Sequence, residues 1–315
     1  MSALPLLRER VRRCEPTTCF WPRTGPWRLP LSPSTEARTR SLLDLVRVAD
    51  HDRYLAALYA PEDKRADLLA LYAFNAEIAG VRDRVRQALP GEIRLQWWRD
   101  VIAANDASAG AGNPAAEALL ETIDRRNLPK QAFQNYLDAR IFDLYDDPMP
   151  TRTDLEGYCG ETAAAVIQLS SVVLDPEAAA GNAELAGHAG CAQAIAGLLR
   201  LLPLHRRRGQ CYVPKDILAS AGTSPEEFLA GDGGPNGPRA VAAMIALAHE
   251  HLSAFERGAA RLPASLRPAF LPLALTGAQL AKMQGRERDV LRANVDIGAW
   301  RKHWLMFRRA TAGWS

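Results

Sequence analysis

Five basic side chains lie close together in the second half of the chain and could bind an anion. They are Arg200, His205, Arg206, Arg207 and Arg208. A guanidinium group can donate two parallel hydrogen bonds to a phosphate, so this segment is a candidate magnesium-free site for a diphosphate or an anionic lipid head group. A solvated basic loop explains the same charges, and the sequence alone leaves both interpretations open.

Acidic residues are the other groups that could do chemistry. Two carboxylates four residues apart share one helix face and can hold magnesium together. Asp83 has Ala79 at that spacing instead of a second acid and stands between Arg82 and Arg84, so we expect it to form a surface salt bridge. Asp138 and Asp143 are five residues apart and do not share a face, so we interpret them as solvated acids of a helix and its C-terminal turn.

Two further patterns resemble metal sites but lack the ligands that a metal needs. In His249, Glu250 and His251 the two histidines are two residues apart and point to different sides of a helix. Cys14 and Cys19 have no second ligand pair. The chain has five cysteines without regular spacing, so we expect neither a disulfide framework nor a metal site.

Helices must position these residues, because apolar side chains recur three or four apart and no strand alternation appears. The pattern predicts an all-α bundle. It also predicts local features: a turn at Pro90-Gly91, a helix at 115–126 and a capping box of Thr153 with Glu156. Pro203 is expected to end a helix and to begin the basic loop.

Two segments within residues 54–104 resemble sequence motifs of a known protein family. The segment LYAFN-x8-R, followed by GEIRLQWWRD, is similar to the squalene/phytoene synthase family of head-to-head prenyl transferases. This resemblance extends over about residues 42–284. It implies that residues 42–300 form a single-domain helical bundle of the isoprenoid synthase type, with a central cavity. We expect residues 1–41 to be a poorly ordered Arg/Pro-rich tail and residues 301–315 to be a C-terminal tail. The ligand-binding residues that it implies are Tyr72, Phe74, Arg200, Arg208 and Tyr212.

The chain departs from the family's two Asp-rich motifs. The first pair matches Ala79 and Asp83, and the register of Arg208-Gly209 places the second motif's carboxylates on Leu201, Leu204 and His205. Four of five carboxylates are replaced, so a magnesium cluster would lack its ligands. The resemblance therefore implies a pseudoenzyme, with no catalytic residue, no metal and no cofactor. Asp83 is then only a remnant of the first motif.

The departures resemble a divergent branch of the same family, which includes the mitochondrial assembly factor for respiratory complex I. This branch implies a role in complex I assembly, at a membrane surface and with a prenyl diphosphate or lipid in the cavity. The alternative is a prenyl-diphosphate transferase of carotenoid or hopanoid synthesis with unusual metal ligands, and only this alternative requires Mg²⁺. A third hypothesis is a lipid-binding module without an assembly role.

Composition excludes other classes of function. Hydrophobic residues make up 48% and charged residues 24%, as in soluble globular proteins. No basic stripe interleaved with aromatic residues is present, so nucleic acid is not an expected partner. No apolar run reaches the roughly 18 residues of a spanning helix, and no secretory signal is recognisable. We expect a protein of the cytoplasm or of the inner membrane's surface.

Overall fold

A computed structural model describes residues 33–104 and 106–314, which form nineteen α-helices and no strand. The first seven are α1 (Pro33–Ala49), α2 (His51–Leu58), α3 (Glu62–Ala79), α4 (Val81–Arg84), α5 (Ala88–Ala103), α6 (Pro114–Arg126) and α7 (Lys130–Arg140). The next six are α8 (Arg152–Cys159), α9 (Ala165–Leu174), α10 (Pro176–Ala180), α11 (Ala183–Arg200), α12 (Leu202–Arg207) and α13 (Lys215–Ala221). The last six are α14 (Pro225–Leu229), α15 (Gly237–Ala259), α16 (Arg267–Phe270), α17 (Thr276–Met283), α18 (Glu287–Arg292) and α19 (Ala299–Ala312).

Short segments of other helix types join these elements. Four are 3₁₀-helical: Ala107–Gly110, Ile141–Leu144, Ala264–Leu266 and Leu271–Leu275. One is π-helical, Gly160–Ala164, and lies between α8 and α9. The described residues confirm the predicted all-α fold.

The core forms around helices α3, α11 and α15, each of which buries one face. Helix α3 packs against α1, α6 and α9, while α11 and α15 lie against each other over their length. Along α15 the buried residues recur three or four apart, from Ala240 and Met244 to Leu252, Phe255 and Ala259, so that one face is apolar. Burial of this face stabilises the helix more than its intrinsic propensity does.

A glycine allows α11 to approach the π-helical segment closely. A Cβ atom at Gly190 would lie 2.4 Å from the Cα and N atoms of Ala164, a distance at which atoms overlap. The absence of a side chain at Gly190 therefore sets the separation of these two elements, which form one wall of the site described below.

The predicted turn at Pro90-Gly91 is wrong, because both residues lie in the first turn of α5. Proline is tolerated there, since the N–H that it lacks would have no acceptor within the helix. Gly91 is buried, and a Cβ on it would lie 2.6 Å from Leu144 Cδ2. The break comes earlier, where Val85 and Gln87 are extended.

Two other local expectations are shifted. The capping box that starts α8 consists of Thr151 and Asp154, two residues before the predicted pair, and both of its reciprocal hydrogen bonds form. Pro203 does not begin a loop, since it occupies the first turn of α12. The helix predicted at 115–126 is confirmed by α6, which Asn113 caps by accepting hydrogen bonds from Ala115 N and Ala116 N.

Both ends of the described chain are helical. The first described helix begins at Pro33, and Arg38 on it forms a 2.7 Å ion pair with Glu121 of α6. At the other end, residues 301–312 belong to α19. Residues 1–32, and with them Cys14 and Cys19, lie outside the described residues. In the part of the chain that is described, no helix has both the length and the apolar character needed to cross a bilayer.

Candidate functional site

A cavity of about 280 Å³ opens between α2, α4, α11, α12 and the 3₁₀ segment at 141–144. Its wall includes Ala79, Leu201, Leu204 and His205, which are the positions to which the sequence assigned the missing carboxylates. Asp83 also lines it. The register inferred from the sequence thus brings residues from α3, α4 and α12 to one cavity.

Each of the five arginines in the cavity wall forms an ion pair with an aspartate of the same chain. The pairs are Arg53–Asp50 at 2.5 Å, Arg82–Asp146 at 3.0 Å, Arg140–Asp143 at 2.9 Å, Arg200–Asp296 at 3.2 Å and Arg208–Asp83 at 2.5 Å. A guanidinium that is paired with a carboxylate has less uncompensated charge and fewer free N–H donors to offer a phosphate. The cavity therefore neutralises its own positive charge.

The acids of the wall are engaged in the same way. Asp52 lies 3.6 Å from Arg200 and 3.4 Å from Lys302, while Asp50, Asp83 and Asp143 take part in the pairs just given. Within residues 33–104 and 106–314, no group of three or more histidine, cysteine or acidic side chains is arranged to hold a metal ion. The carboxylates of the wall are instead paired with arginine and lysine side chains of the protein.

Asp143 is the centre of the buried side of the cavity. Its Oδ1 accepts hydrogen bonds from the hydroxyls of Tyr212 at 2.7 Å and Tyr158 at 2.9 Å, and its Oδ2 accepts one from Arg140 at 2.9 Å. Only 8% of the residue is exposed. The interpretation of Asp143 as a solvated acid is therefore wrong, because three partners from separate segments replace its hydration.

The tyrosines around Asp143 act as hydrogen-bond donors. Burial raises the pKa of both Tyr158 and Tyr212 above the usual range of tyrosine. Both hydroxyls therefore keep their protons near neutral pH, and the charge on Asp143 is shared between two neutral donors and Arg140. This network is organised to hold one carboxylate in place.

Two polar atoms of the cavity wall are buried without a partner among the described groups. They are Nδ1 of His205 and Oε1 of Gln193. Burial lowers the pKa of His205 to about 4, and Arg208 adds to this effect while Asp143 and Asp83 oppose it. His205 is therefore neutral at physiological pH, and its ring packs 4.8 Å from that of Tyr212.

The basic segment does not converge on one site. Arg200, His205 and Arg208 face the cavity, whereas Arg206 donates hydrogen bonds to the backbone oxygens of Phe228 at 2.9 Å and Leu291 at 2.7 Å. The reason is that α12 is helical, so neighbouring side chains point in different directions.

Of the expected ligand-binding residues, two lie away from the cavity. Tyr72 and Phe74 are each 1% exposed and belong to the core, where the ring of Phe74 packs 5.2 Å from that of Trp98. Tyr212, Arg200 and Arg208 line the cavity. The expectation that Asp83 forms a salt bridge is confirmed, although its partner is Arg208, a residue distant in sequence.

The remaining candidate metal residues form a separate hydrogen-bonded group. His251 lies 3.1 Å from His188 through the two Nδ1 atoms and 3.2 Å from Oε1 of Glu156 through Nε2. Glu250 points elsewhere and pairs with Arg152 at 2.8 Å. His251 therefore belongs to a partly buried polar contact between α8, α11 and α15, as its spacing indicated.

Sequence reasoning missed Arg53, Arg140 and Gln193. Arg140 follows Tyr136 by one helical turn, and its Nε donates to that hydroxyl at 3.2 Å. An arginine four residues after a buried tyrosine is a weak signal, since such pairs also occur on surfaces. Gln193 is a polar residue within the apolar helix α11, and this was the clearest available signal.

Comparison with known proteins gives the family. The model of the squalene/phytoene synthase family matches residues 46–305, which is most of the chain. The chain belongs to the squalene/phytoene synthase family.

Among members of the squalene/phytoene synthase family, the chain is similar to proteins of two kinds. It is 30% identical to complex I assembly factor 6 of Rattus norvegicus over 273 residues, covering 83% of this chain and 82% of that protein. It is 25% identical to 15-cis-phytoene synthase of Synechococcus elongatus, covering 79% and 84%. A squalene synthase from Alicyclobacillus acidocaldarius has the same fold, with a TM-score of 0.68 and 22% identity over 82% of this chain and 97% of that one.

Proposed function

We propose that this member of the squalene/phytoene synthase family acts in the assembly of respiratory complex I and does not condense prenyl diphosphates. The similarity to complex I assembly factor 6, which extends over more than four fifths of both chains, supports the first part. The second part rests on the cavity, where every arginine of the wall is held by an aspartate of the same chain.

The pairing of these charges opposes the chemistry of a prenyl transferase. Ionisation of an allylic diphosphate requires cations that stabilise the departing diphosphate, and metal ions usually supply that charge. A diphosphate that entered this cavity would compete with the aspartates for the arginines, and the carboxylates of the wall would repel it. The ion pairs therefore disfavour both the substrate and the charge that develops during its reaction.

The cavity is better suited to a ligand of low charge. Its volume of about 280 Å³ is near the lower end of the roughly 300–1,000 Å³ typical of small-molecule sites. A lipid or prenyl chain with a weakly charged head group would leave the ion pairs intact. We include such a ligand in the proposal, together with a peripheral position on the inner membrane.

A turnover assay separates this proposal from the prenyl-transferase alternative. Purified protein is incubated with farnesyl or geranylgeranyl diphosphate and Mg²⁺, and a catalytically active phytoene synthase serves as the positive control. We expect no squalene, phytoene or presqualene product. Formation of any of these products by the purified protein would overturn the non-catalytic assignment.

A genetic experiment tests the assembly role. We expect deletion of the gene in its own host to lower the amount of mature complex I, measured by native gel and by NADH:ubiquinone oxidoreductase activity. A copy that carries Asp143→Glu, which retains the buried charge, should restore assembly if its fold is kept. Normal complex I in the deletion strain would refute the role.

A further inference from the structure

Helix α19 presents a row of large aromatic side chains on its outer face. Trp300 is 91% exposed, Trp304 61% and Phe307 50%. Positions separated by four and then three residues lie on one side of a helix, so the three rings form a continuous row. We call this row, with the basic residues beside it, the aromatic face.

The opposite side of α19 is attached to the body of the protein. Met306 is buried with Leu275 and Ile297, and Leu305 packs against the same cluster. The helix therefore already has an apolar side that fixes it in place. The exposed rings are therefore not needed to attach the helix to the core. Exposed apolar patches of this kind mark interaction surfaces.

The charge of the helix is of one sign. Ala299–Ala312 contains four lysine or arginine residues, one histidine and no acid. Lys302 is turned inward and lies 2.8 Å from Asp296. Arg301 and Arg308 are exposed, and neither forms an ion pair within the described part of the chain. Two free cations therefore flank the aromatic row.

The aromatic face continues onto a neighbouring helix. The ring of His303 lies 6.2 Å from that of His51 at the start of α2. The surface thus extends beyond α19 to the start of α2.

We propose that the aromatic face binds to a membrane surface that contains anionic lipids. Tryptophan rings favour the head-group region of a bilayer, and arginines beside them are attracted to lipid phosphates. An acid-free helix with an apolar outer row is the pattern of a helix that lies in the membrane plane. The charge of this face complements an anionic lipid surface over its whole length.

A second exposed apolar row, on α5, lacks this charge pattern and provides the control. Leu89 and Ile93 are 64% and 63% exposed. The charged residues beside them are engaged within the chain, since Arg94 lies 3.5 Å from Glu77 and Glu92 accepts a hydrogen bond from Tyr145. Substitutions on α5 remove exposed apolar area from another part of the surface without changing the free positive charge.

The test measures binding of the purified full chain to vesicles of mixed phosphatidylcholine and phosphatidylglycerol by sedimentation. We expect Trp300→Ala/Trp304→Ala/Phe307→Ala to weaken binding at least about 100-fold, because three large side chains lose their burial. Arg301→Gln/Arg308→Gln should weaken it roughly 30-fold, since each charge contributes about fivefold at an anionic surface. The control Leu89→Ala/Ile93→Ala should bind as the unchanged protein does.

Two results would overturn the assignment. One is the absence of vesicle binding by the unchanged protein, or binding that the α19 substitutions leave intact. The other is a loss of self-association in the α19 variants without vesicle binding, which would make the face a contact between two copies. Far-ultraviolet circular dichroism verifies that each variant is folded.

Fluorescence gives an independent readout with a conservative variant. We expect tryptophan emission to shift to shorter wavelength on vesicle binding, and brominated lipids to quench it. Trp300→Phe/Trp304→Phe should keep most of the binding but lose most of this shift. The proposal rests on the peripheral membrane position that is part of the proposed function, and it names the surface that would bind the lipid. Because the experiment contains only purified protein and lipid, its outcome does not depend on a role in complex I assembly.

Discussion

The guanidinium Nη1 of Arg208 lies 2.5 Å from the carboxylate Oδ1 of Asp83, and both side chains line the cavity. The pair joins the end of α12 to α4. Asp83 is the acid that the sequence identified as a remnant of a magnesium motif, and in the folded chain it binds a cation of the protein itself.

Removing the charge of Asp83 should make the cavity more receptive to anions. In Asp83→Asn, Arg208 loses its ion-pair partner while the shape of residue 83 is kept. We expect the affinity for inorganic pyrophosphate, measured by calorimetry without magnesium, to rise about tenfold, since a hydrogen bond to a charged group contributes about 1.5–3 kcal/mol. Asp232→Asn, which frees the exposed Arg292 away from the cavity, is the control and should have no effect. Equal affinities of the two variants would contradict the prediction.

The Asp143 network should contribute strongly to stability. Asp143→Asn leaves the guanidinium of Arg140 without its ion-pair partner in a site where both side chains are mostly buried. We expect the free energy of unfolding in urea to fall by about 3–5 kcal/mol. Asp138→Asn is the matched control, because Asp138 pairs with Arg99 on the surface and 64% of its side chain is exposed. Its effect should stay within about 1 kcal/mol.

The neutral state of His205 predicts a dependence of stability on pH. Burial lowers its pKa from 6.5 to about 4 in the folded protein, so the unfolded chain binds a proton more readily. Stability due to this group is complete above pH 6.5 and is lost as pH falls towards 4. The loss should reach about 3 kcal/mol.

Comparison with His205→Gln isolates this contribution from that of the carboxylates. We expect the free energy of unfolding of the variant to fall less steeply between pH 6.5 and pH 4 than that of the unchanged protein. Leu89→Ala, which changes an exposed side chain that does not titrate, should retain the original slope. Parallel curves for His205→Gln and the unchanged protein would show that His205 is not the titrating group.

Two glycines of α11 should respond in opposite ways to alanine. In Gly190→Ala the new Cβ would lie 2.4 Å from backbone atoms of Ala164, so we expect thermal and chemical unfolding to show a loss of at least about 2 kcal/mol. Gly187 has no atom within 4 Å of its Cβ position. Gly187→Ala should therefore stabilise the helix by up to about 1 kcal/mol. A stable Gly190→Ala protein would mean that α11 and the π-helical segment can move apart.

The fold could be predicted from the sequence more fully than the site. Helical periodicity is a local property, and α6 was predicted within one residue because Asn113 and Pro114 mark its start. The turn predicted at Pro90 was wrong because proline is acceptable in the first turn of a helix, and only the packing of Gly91 on Leu144 shows which case applies. On α5 the buried tryptophan is Trp98, whereas the apolar Ile93 is 63% exposed.

The site required information that no local pattern contains. The partners of Asp143 come from positions 140, 158 and 212, and only the folded chain brings Tyr158 and Tyr212 to the same oxygen. The register of the family motif did place Ala79, Leu204 and His205 around one cavity. It did not indicate that Arg200 and Arg208 would each be paired with an acid that is distant in the sequence.

The position of Lys302 links the cavity with helix α19. Lys302 lies 3.4 Å from Asp52 and 2.8 Å from Asp296, and Arg200 of the cavity wall contacts the same two carboxylates. If a ligand bound Arg200, Asp52 and Asp296 would pair with Lys302 alone. These ion pairs would then be stronger and would attach the start of α19 more firmly to the body of the protein. If membrane binding changes the strength of the Lys302 ion pairs, the two binding events are coupled. Thermodynamic linkage then requires that ligand binding in the cavity changes the affinity for the lipid surface by the same factor as lipid binding changes the affinity for the ligand.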